Sequence, residues 1–437
     1  MAVPRRMKIP TELVVLGPAS LRGRLRVPGD KGISHRALLF ASMANGRSRA
    51  VGLAGGDDVA RTRLLLRDLG VDITAAGSAI TVEGRGVEEL MEPSHVLDCG
   101  NSGTTMRTAA GLLAGRPFLG VLSGDVSLLQ RPMGRVVEPL RAMGAHVDGR
   151  ASGTLAPLAL RGGSLRGYAH HTLVASAQVK TALVLAGLQA DGTTEITEPA
   201  PTRDHTERML RALGAPVTVD GCTVRVTKGA PAPLELEVPG DPSSAAFWVV
   251  GATITPGSDL VIERVCCNPT RIAFVDVLRR MGATIDVDLT GKQLGEPVGD
   301  LRVVASELCA TTIGGDEIPL VQDELPVLAV AAAFADGVTE IADAAELRVK
   351  ETDRIATVEA MLVALGVGVE TASDTLAIRG GQPRAARLDS YGDHRLAMAA
   401  AIAANAADGE SVVLGWKAIS VSYPEFGDDL ATLTGRV

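Results

Sequence analysis

The sequence predicts an α/β (α+β) protein built from six copies of one unit, grouped as two lobes of three. Three observations carry this reading: a helix-ending motif that recurs along the whole chain, a Val-Pro-Gly-Asp run that occurs twice, and a composition of small and aliphatic residues. Of 437 residues 46% are hydrophobic but only 3% aromatic, and 49 are glycine. Cores must therefore be made by close layering of aliphatic side chains rather than by aromatic anchors, and the length is enough for two or three domains.

The recurring motif is Leu-x-x-(Leu/Met)-Gly-(Val/Ala)-x-(Val/Ile). Its copies start at Leu66, Leu140, Leu210, Leu278 and Leu362, and a degraded sixth starts at Leu430. Their glycines, Gly70, Gly144, Gly214, Gly282, Gly366 and Gly435, are separated by 74, 70, 68, 84 and 69 residues. In each copy an amphipathic run ends at Leu-Gly or Met-Gly, glycine supplies the left-handed cap, and in the five complete copies a β-branched alternating stretch begins a strand. A strand-helix portion is expected ahead of each, as in Leu25-Arg-Val followed by a helix from Ser34 to Ala44, so every repeat mixes α and β.

Val27-Pro-Gly-Asp30 and Val238-Pro-Gly-Asp241 lie 211 residues apart, about three units. This divides the chain into a lobe at about 28–240 and a second formed by 1–27 with 241–437, the N-terminal strand returning to it. The Pro-Gly pairs suit two neighbouring crossover strands. The cleft between lobes is the expected ligand site.

A formal charge of −8 excludes a protein whose main task is gripping nucleic-acid phosphate, so any bound anion must be held by locally clustered bases. Cys99, Cys222, Cys266, Cys267 and Cys309 are odd in number and contain no CxxC pair, which fits a reduced, cytoplasmic setting. The basic start, Met1 to Lys8, meets Pro10, Thr11 and Glu12 before an apolar signal core forms. The longest apolar stretch, Val327 to Ala335, is far short of the roughly 20 residues of a membrane span. The ligand spacing of a metal site is absent from the linear sequence, so no metal or organic cofactor is expected.

Chemistry-bearing residues concentrate in short polar runs at expected helix starts. Pro28 to Arg36 brackets a glycine turn with Lys31 and Arg36, and Asp98 to Arg107 forms a glycine-rich strand-to-helix turn, both offering backbone N–H groups to an anion. Arg131-Pro-Met-Gly, Ala175 to Lys180 and Thr202 to Glu207 follow in the first lobe, with Gln322 to Pro326, Leu347 to Arg354 and Tyr391 to Arg395 in the second. Cations are spread over both lobes, acid-base candidates fall only in the second, and nucleotide fingerprints are missing. A small, multiply anionic substrate in the cleft satisfies all three. Lys350 and Arg354 are expected four apart on one helix, with Glu351 projecting about 100° away.

On these residues the chain resembles the 5-enolpyruvylshikimate-3-phosphate synthase (3-phosphoshikimate 1-carboxyvinyltransferase) family of enolpyruvyl transferases. The resemblance runs from about 15 to 430 and is carried by PGDKGISHRALL, GNSGTTMR, RPMGRVVEPL, ASAQVKTALVLAGL, RDHTERML, DELPVLAVAAAFA and LRVKETDR. It implies a two-lobed inside-out α/β barrel of six βαβαββ repeats, three per lobe. The implied reaction transfers the enolpyruvyl group of phosphoenolpyruvate to the 5-hydroxyl of shikimate 3-phosphate, with release of phosphate, on the route to chorismate and aromatic amino acids.

Carried over residue by residue, the resemblance assigns Lys31, Arg36, Ser176, Ala177, Gln178, Arg203, Asp323 and Lys350 to shikimate 3-phosphate. It assigns Lys31, Asn101, Gly103, Arg131, Gln178, Arg354 and Arg395 to phosphoenolpyruvate. Asp323 is implied as base for the hydroxyl, Glu351 as the group serving C3, and Lys31 is included with them as catalytic. His205 and His394 are then polar framework residues. A monomer without nucleic-acid or membrane partners is implied, as is inhibition by glyphosate, which takes the phosphoenolpyruvate position beside Gly103.

Two positions depart from the family pattern. Gly32 stands where a serine usually follows the lysine, and Val421 precedes Ser-Tyr-Pro where some members have lysine, with Lys417 four residues earlier. These leave a paralogue using another cyclitol as an alternative. The related UDP-N-acetylglucosamine carboxyvinyltransferase would carry a cysteine at Val126, and a non-catalytic phosphate-binding relative would not need the full set of acids, bases and cations.

Overall fold

The computed structural model describes residues 9–436, so the basic run Met1 to Lys8 lies outside the described residues. The described residues form six separate sheets, five of four strands and one of three. Three units, the second, third and fifth, are complete and contiguous. The second runs Leu97–Asp98, helix Gly103–Leu113, Leu119–Ser123, helix Gly134–Ala142, then the hairpin His146–Arg150 and Leu155–Arg161. The third repeats this with Ala169–His171, Ala177–Gly187, Thr193–Thr197, His205–Ala212, Val217–Asp220 and Thr223–Thr227. In each the leading strand pairs parallel and the hairpin antiparallel, which is the βαβαββ unit.

The first and fourth units exchange their leading strands. Arg22–Leu25 precedes the helix Lys31–Met43 in sequence yet pairs with Asp259–Cys266, while Glu235–Glu237 precedes the helix Pro242–Ile254 yet pairs with Asn45–Val51. The two connections cross as Gly29 bridges Gly240, and Asp30 and Asp241 donate their backbone N–H groups to Pro239 and Pro28 at 2.7 and 2.8 Å. Leu25 thus ends a strand of the other sheet, and the helix expected from Ser34 starts at Lys31. The reason is a cap: the Asp30 carboxylate accepts from the Ile33 N–H, fixing the first turn three residues earlier.

The sixth unit is closed by distant chain. Glu12–Gly17 pairs antiparallel with Gly409–Leu414, taking the place of the missing hairpin, and the helix Phe426–Thr434 ends the fold. The six motif glycines all have positive φ, from 64° to 109°, as the left-handed cap requires.

Each lobe is inside out because helices, not sheets, fill its centre. Pro242–Ile254, Leu325–Ala333 and His394–Ala406 are buried almost all round in one lobe, and Lys31–Met43, Gly103–Leu113 and Ala177–Gly187 in the other. Two separate apolar cores result. Helices can meet this closely only through small side chains: a Cβ on Gly111 would lie 2.1 Å from the carbonyl oxygen of Ala182 on the facing helix. The expectation of cores without aromatic anchors does not hold throughout: Phe247, Trp248, Trp416, Tyr423 and Phe426 pack against one another in the second lobe's core. No described helix is long and apolar enough to cross a membrane.

Candidate active site

Because the inner helices run away from the interlobe cleft, their N-termini open on it. Lys31, Gly103 and Ala177 of one lobe and Ser243 and His394 of the other line a cavity of about 350 Å³. Unpaired N–H groups and the positive ends of helix dipoles therefore converge there, a setting for anions before any side chain is counted. Carboxylates and hydroxyls close the same helices: Ser102, Asp241 and Asp393 each accept from a first-turn N–H.

The cavity wall includes Lys31, Arg36, Gly103, Arg131, Ser176, Ala177, Gln178, Arg203, Asp323, Lys350, Glu351 and Arg395, twelve of the fourteen residues proposed from the sequence. Asn101 and Arg354 are the other two. Asn101 stands behind, accepting from Arg131 at 2.9 Å. Arg354, 1% exposed, lies beneath the wall with its guanidinium spread over Asp393 at 2.8 Å, Glu351 at 2.6 Å and Asp323 at 3.6 Å.

The stretch around Lys350 departs from expectation. Lys350 follows a short 3-10 turn, Ala345–Val349, in extended conformation, and the helix begins only at Arg354, where Asp353 accepts from the Ala356 N–H. Lys350 and Arg354 are therefore not one turn apart on a helix. The capping aspartate sets the start, and Glu351 reaches the cleft from irregular chain. Lys350 donates to Gln322 at 2.8 Å.

The two carboxylates are held by cations from both lobes. Arg203 meets Asp323 at 2.6 Å and Arg131 meets Glu351 at 3.3 Å, each pair crossing the cleft, and Arg395 reaches Asp323 at 3.3 Å. Burial alone would raise the Asp323 carboxyl, but Arg395, Arg203, Lys350 and Arg354 outweigh it and hold it well below the usual range. Glu351 follows the same logic, burial being overcome by Arg354 and Arg131. His394, beside them, is pushed down to about 4 by burial and by Lys31.

Arg36 spends its guanidinium on the Gly32 carbonyl, Thr206 and Thr181, tying three helices together at the cavity floor. Lys31 pairs with Asp58 at 3.1 Å. Neither Val421 nor Lys417 lines the cavity, and Lys417 is exposed. Val126 is 80% exposed in the connection before Arg131.

Three arginines of the cavity wall, Arg107, Arg135 and Arg271, were given no role from the sequence. Arg107 donates to Gln178 at 2.5 Å and to the Pro132 carbonyl, and burial with neighbouring Arg131 and Arg135 draws it down to about 10. It stands four residues after Gly103, one turn along the same helix face, and that spacing could have found it. Arg135 bridges the cleft to Glu346 at 2.9 Å. The fold also gathers His205, Cys266 and Glu296, whose ligand-type atoms lie within 4.8 Å of one another. Hydrogen bonds join them already: His205 contacts Glu296 at 2.9 Å, and Asn268 donates to the same carboxylate at 2.8 Å.

Two inside-out lobes of three units, closing a cationic cleft over a pair of carboxylates, define an enolpyruvyl transferase. Residues 15–430 match the family described as EPSP synthase (3-phosphoshikimate 1-carboxyvinyltransferase). Among curated relatives, the 3-phosphoshikimate 1-carboxyvinyltransferase of Chloroflexus aurantiacus is 52% identical over 96% of this chain and 98% of its own. That of Synechococcus sp. (strain JA-3-3Ab) is 51% identical over 95% of each. The EPSP synthase structure from Acinetobacter baumannii superposes with a TM-score of 0.87 at 38% identity, covering 97% of this chain and 98% of that one. The enolpyruvyl transferase NikO from Streptomyces tendae, at 18% identity and a TM-score of 0.79 over 97% of each chain, shares the fold. The chain belongs to the EPSP synthase family.

Proposed function

We propose that this protein transfers the enolpyruvyl group of phosphoenolpyruvate to the 5-hydroxyl of shikimate 3-phosphate, serving chorismate and aromatic amino acid synthesis as a cytoplasmic monomer. The observation that carries the reading is the juxtaposition of Asp323 and Glu351 on the second-lobe wall with Arg131 and Arg203 on the first. Guanidinium forks match both phosphate and carboxylate. In this reading Ser176, Ala177, Gln178, Arg203 and Lys350, with Arg36 behind them, take the acceptor and its phosphate. Arg131, Arg395, Lys31, Gln178 and the Gly103 turn, backed by Asn101 and Arg354, take phosphoenolpyruvate.

Asp323 receives the proton of the 5-hydroxyl as that oxygen bonds to C2 of phosphoenolpyruvate, and a proton passes to C3 from the Glu351 side. The C2–O bond to phosphate then breaks, phosphate leaves, and C3 returns a proton to restore the enol ether. Arg354 touches both carboxylates and holds their spacing. When an anionic substrate draws Arg131 and Arg203 to itself, the hold on Glu351 and Asp323 weakens and their proton affinity rises toward the range acid-base work needs. The division at about 28–240 belongs to the same proposal and is supported by the two apolar cores and the crossing at Gly29 and Gly240. Phosphate release with phosphoenolpyruvate and shikimate 3-phosphate tests the activity. Turnover with another cyclitol but not with shikimate 3-phosphate would overturn the acceptor.

A further inference from the structure

Beneath the first-lobe wall lies a buried charge cluster that the proposed chemistry does not use. Lys180 is 3% exposed and sits between two glutamates, 2.6 Å from Glu198 and 2.8 Å from Glu207. Burial would pull the lysine down, but Glu207 and Glu198 together hold it above its ordinary value, so it stays charged. Glu207 also attracts the buried Arg36, so two cations balance two anions away from water.

Glu198 does more than neutralise. Its Oε1 accepts the backbone N–H of Ser176 at 3.1 Å, the Thr202 hydroxyl lies 2.9 Å from Oε1 and 2.8 Å from Oε2, and Oε2 also faces Lys180. Ser176 caps the helix Ala177–Gly187, and Thr202 immediately precedes Arg203. Both segments line the cleft, and this one carboxylate joins them.

We propose that Glu198, anchored by Lys180, is a positioning residue that sets the distance between the Ser176–Gln178 turn and Arg203, and so the fit of the acceptor's phosphate. This rests on the acceptor assignment made above. Glu198 touches no cavity surface and acts only through Ser176 and Thr202. Losing it should loosen the acceptor half of the site and leave the phosphoenolpyruvate half, built on Gly103 and Arg131, in place, because Gln178, which serves both halves, is held separately by Arg107 and Thr104 of the Gly103 helix.

The test is steady-state kinetics of Glu198→Gln and Thr202→Val, each substrate varied in turn. Glu198→Gln should raise KM for shikimate 3-phosphate about ten-fold or more while KM for phosphoenolpyruvate and kcat stay within about three-fold. Thr202→Val, which deletes only the hydroxyl, should raise the acceptor KM about three-fold with the same selectivity, and it decides the matter if Glu198→Gln does not fold. Equal rises in both KM values, or an unchanged acceptor KM, would overturn the positioning role. Wild-type protein that neither binds nor turns over shikimate 3-phosphate would instead overturn the acceptor assignment.

Discussion

Arg203 of the first lobe and Asp323 of the second meet across the cleft at 2.6 Å, so the cation proposed to hold the acceptor and the carboxylate proposed to deprotonate it share one ion pair. Glu351 stands in the same relation to Arg131. Asp323→Asn and Glu351→Gln should each lower kcat by at least about 10²-fold, as expected for proton-transfer groups. Neither should weaken phosphoenolpyruvate binding, because each substitution frees an arginine to face the anion. A variant with raised KM and unchanged kcat would show that its carboxylate holds substrate rather than moving protons.

Stability should respond to pH through two buried histidines, His35, which burial holds well below its ordinary value, and His394. The His394 ring is drawn down to about 4, against about 6.5 in an unfolded chain. Between these values the unfolded state binds the extra proton, so the contribution is complete above about pH 6.5 and is lost as pH falls toward 4. Asp323 and Glu351, also depressed, add their loss only below the ordinary carboxylate range. The melting temperature should fall between pH 7 and 5, and fall less in His394→Gln. Identical slopes in the two proteins would show that His394 does not carry the effect.

What the sequence showed and what it hid follow from how far apart the interacting residues lie. The six glycine caps and the two Val-Pro-Gly-Asp crossings are local patterns, each legible within a few residues. The Pro-Gly crossings and the return of the N-terminal chain were expected, but which strands pair was not: Arg22–Leu25 with Asp259–Cys266, Glu235–Glu237 with Asn45–Val51 and Glu12–Gly17 with Gly409–Leu414 join segments remote in sequence, and alternation alone does not choose a partner. The cleft residues were legible because their motifs match those of a known family, and most of these motifs sit at helix starts. Glu198, Arg271 and Glu296 were not, since a single buried charge leaves no periodic trace. The helix assigned through Lys350 failed for the opposite reason: a charge spacing that suits a helix also occurs in chain leading up to a capping aspartate.

The crossing itself gives a stability prediction. Arg271, 3% exposed, reaches Asp241 at 2.9 Å and Asp30 at 3.2 Å, the residues that follow the two Pro-Gly pairs. Arg271→Met would leave two carboxylates buried with nothing between them, a loss of about 3–5 kcal/mol. A clear drop in the urea unfolding midpoint is expected. A midpoint unchanged within error would mean that water or a neighbouring cation takes over the clasp.

Gly103 opens the helix Gly103–Leu113 at the cavity wall. A Cβ there would sit 3.0 Å from Arg107 Nη1 and 3.3 Å from Arg131 Nη1, both ends of flexible side chains, so alanine can be accommodated if the guanidiniums move by a few tenths of an ångström. The methyl would narrow the site on the side proposed for phosphoenolpyruvate without straining the backbone. Glyphosate, longer than phosphoenolpyruvate, has less room to adjust, and steric exclusion acts on the larger ligand first. The protein with Gly103 should therefore be inhibited, and Gly103→Ala should raise the inhibition constant for glyphosate several-fold more than KM for phosphoenolpyruvate. The ratio is the proper measure, because displacement of Arg131 weakens both anions together and only the added length distinguishes them. Equal changes in the two constants would show that the Gly103 turn does not bound the phosphoenolpyruvate side of the cleft.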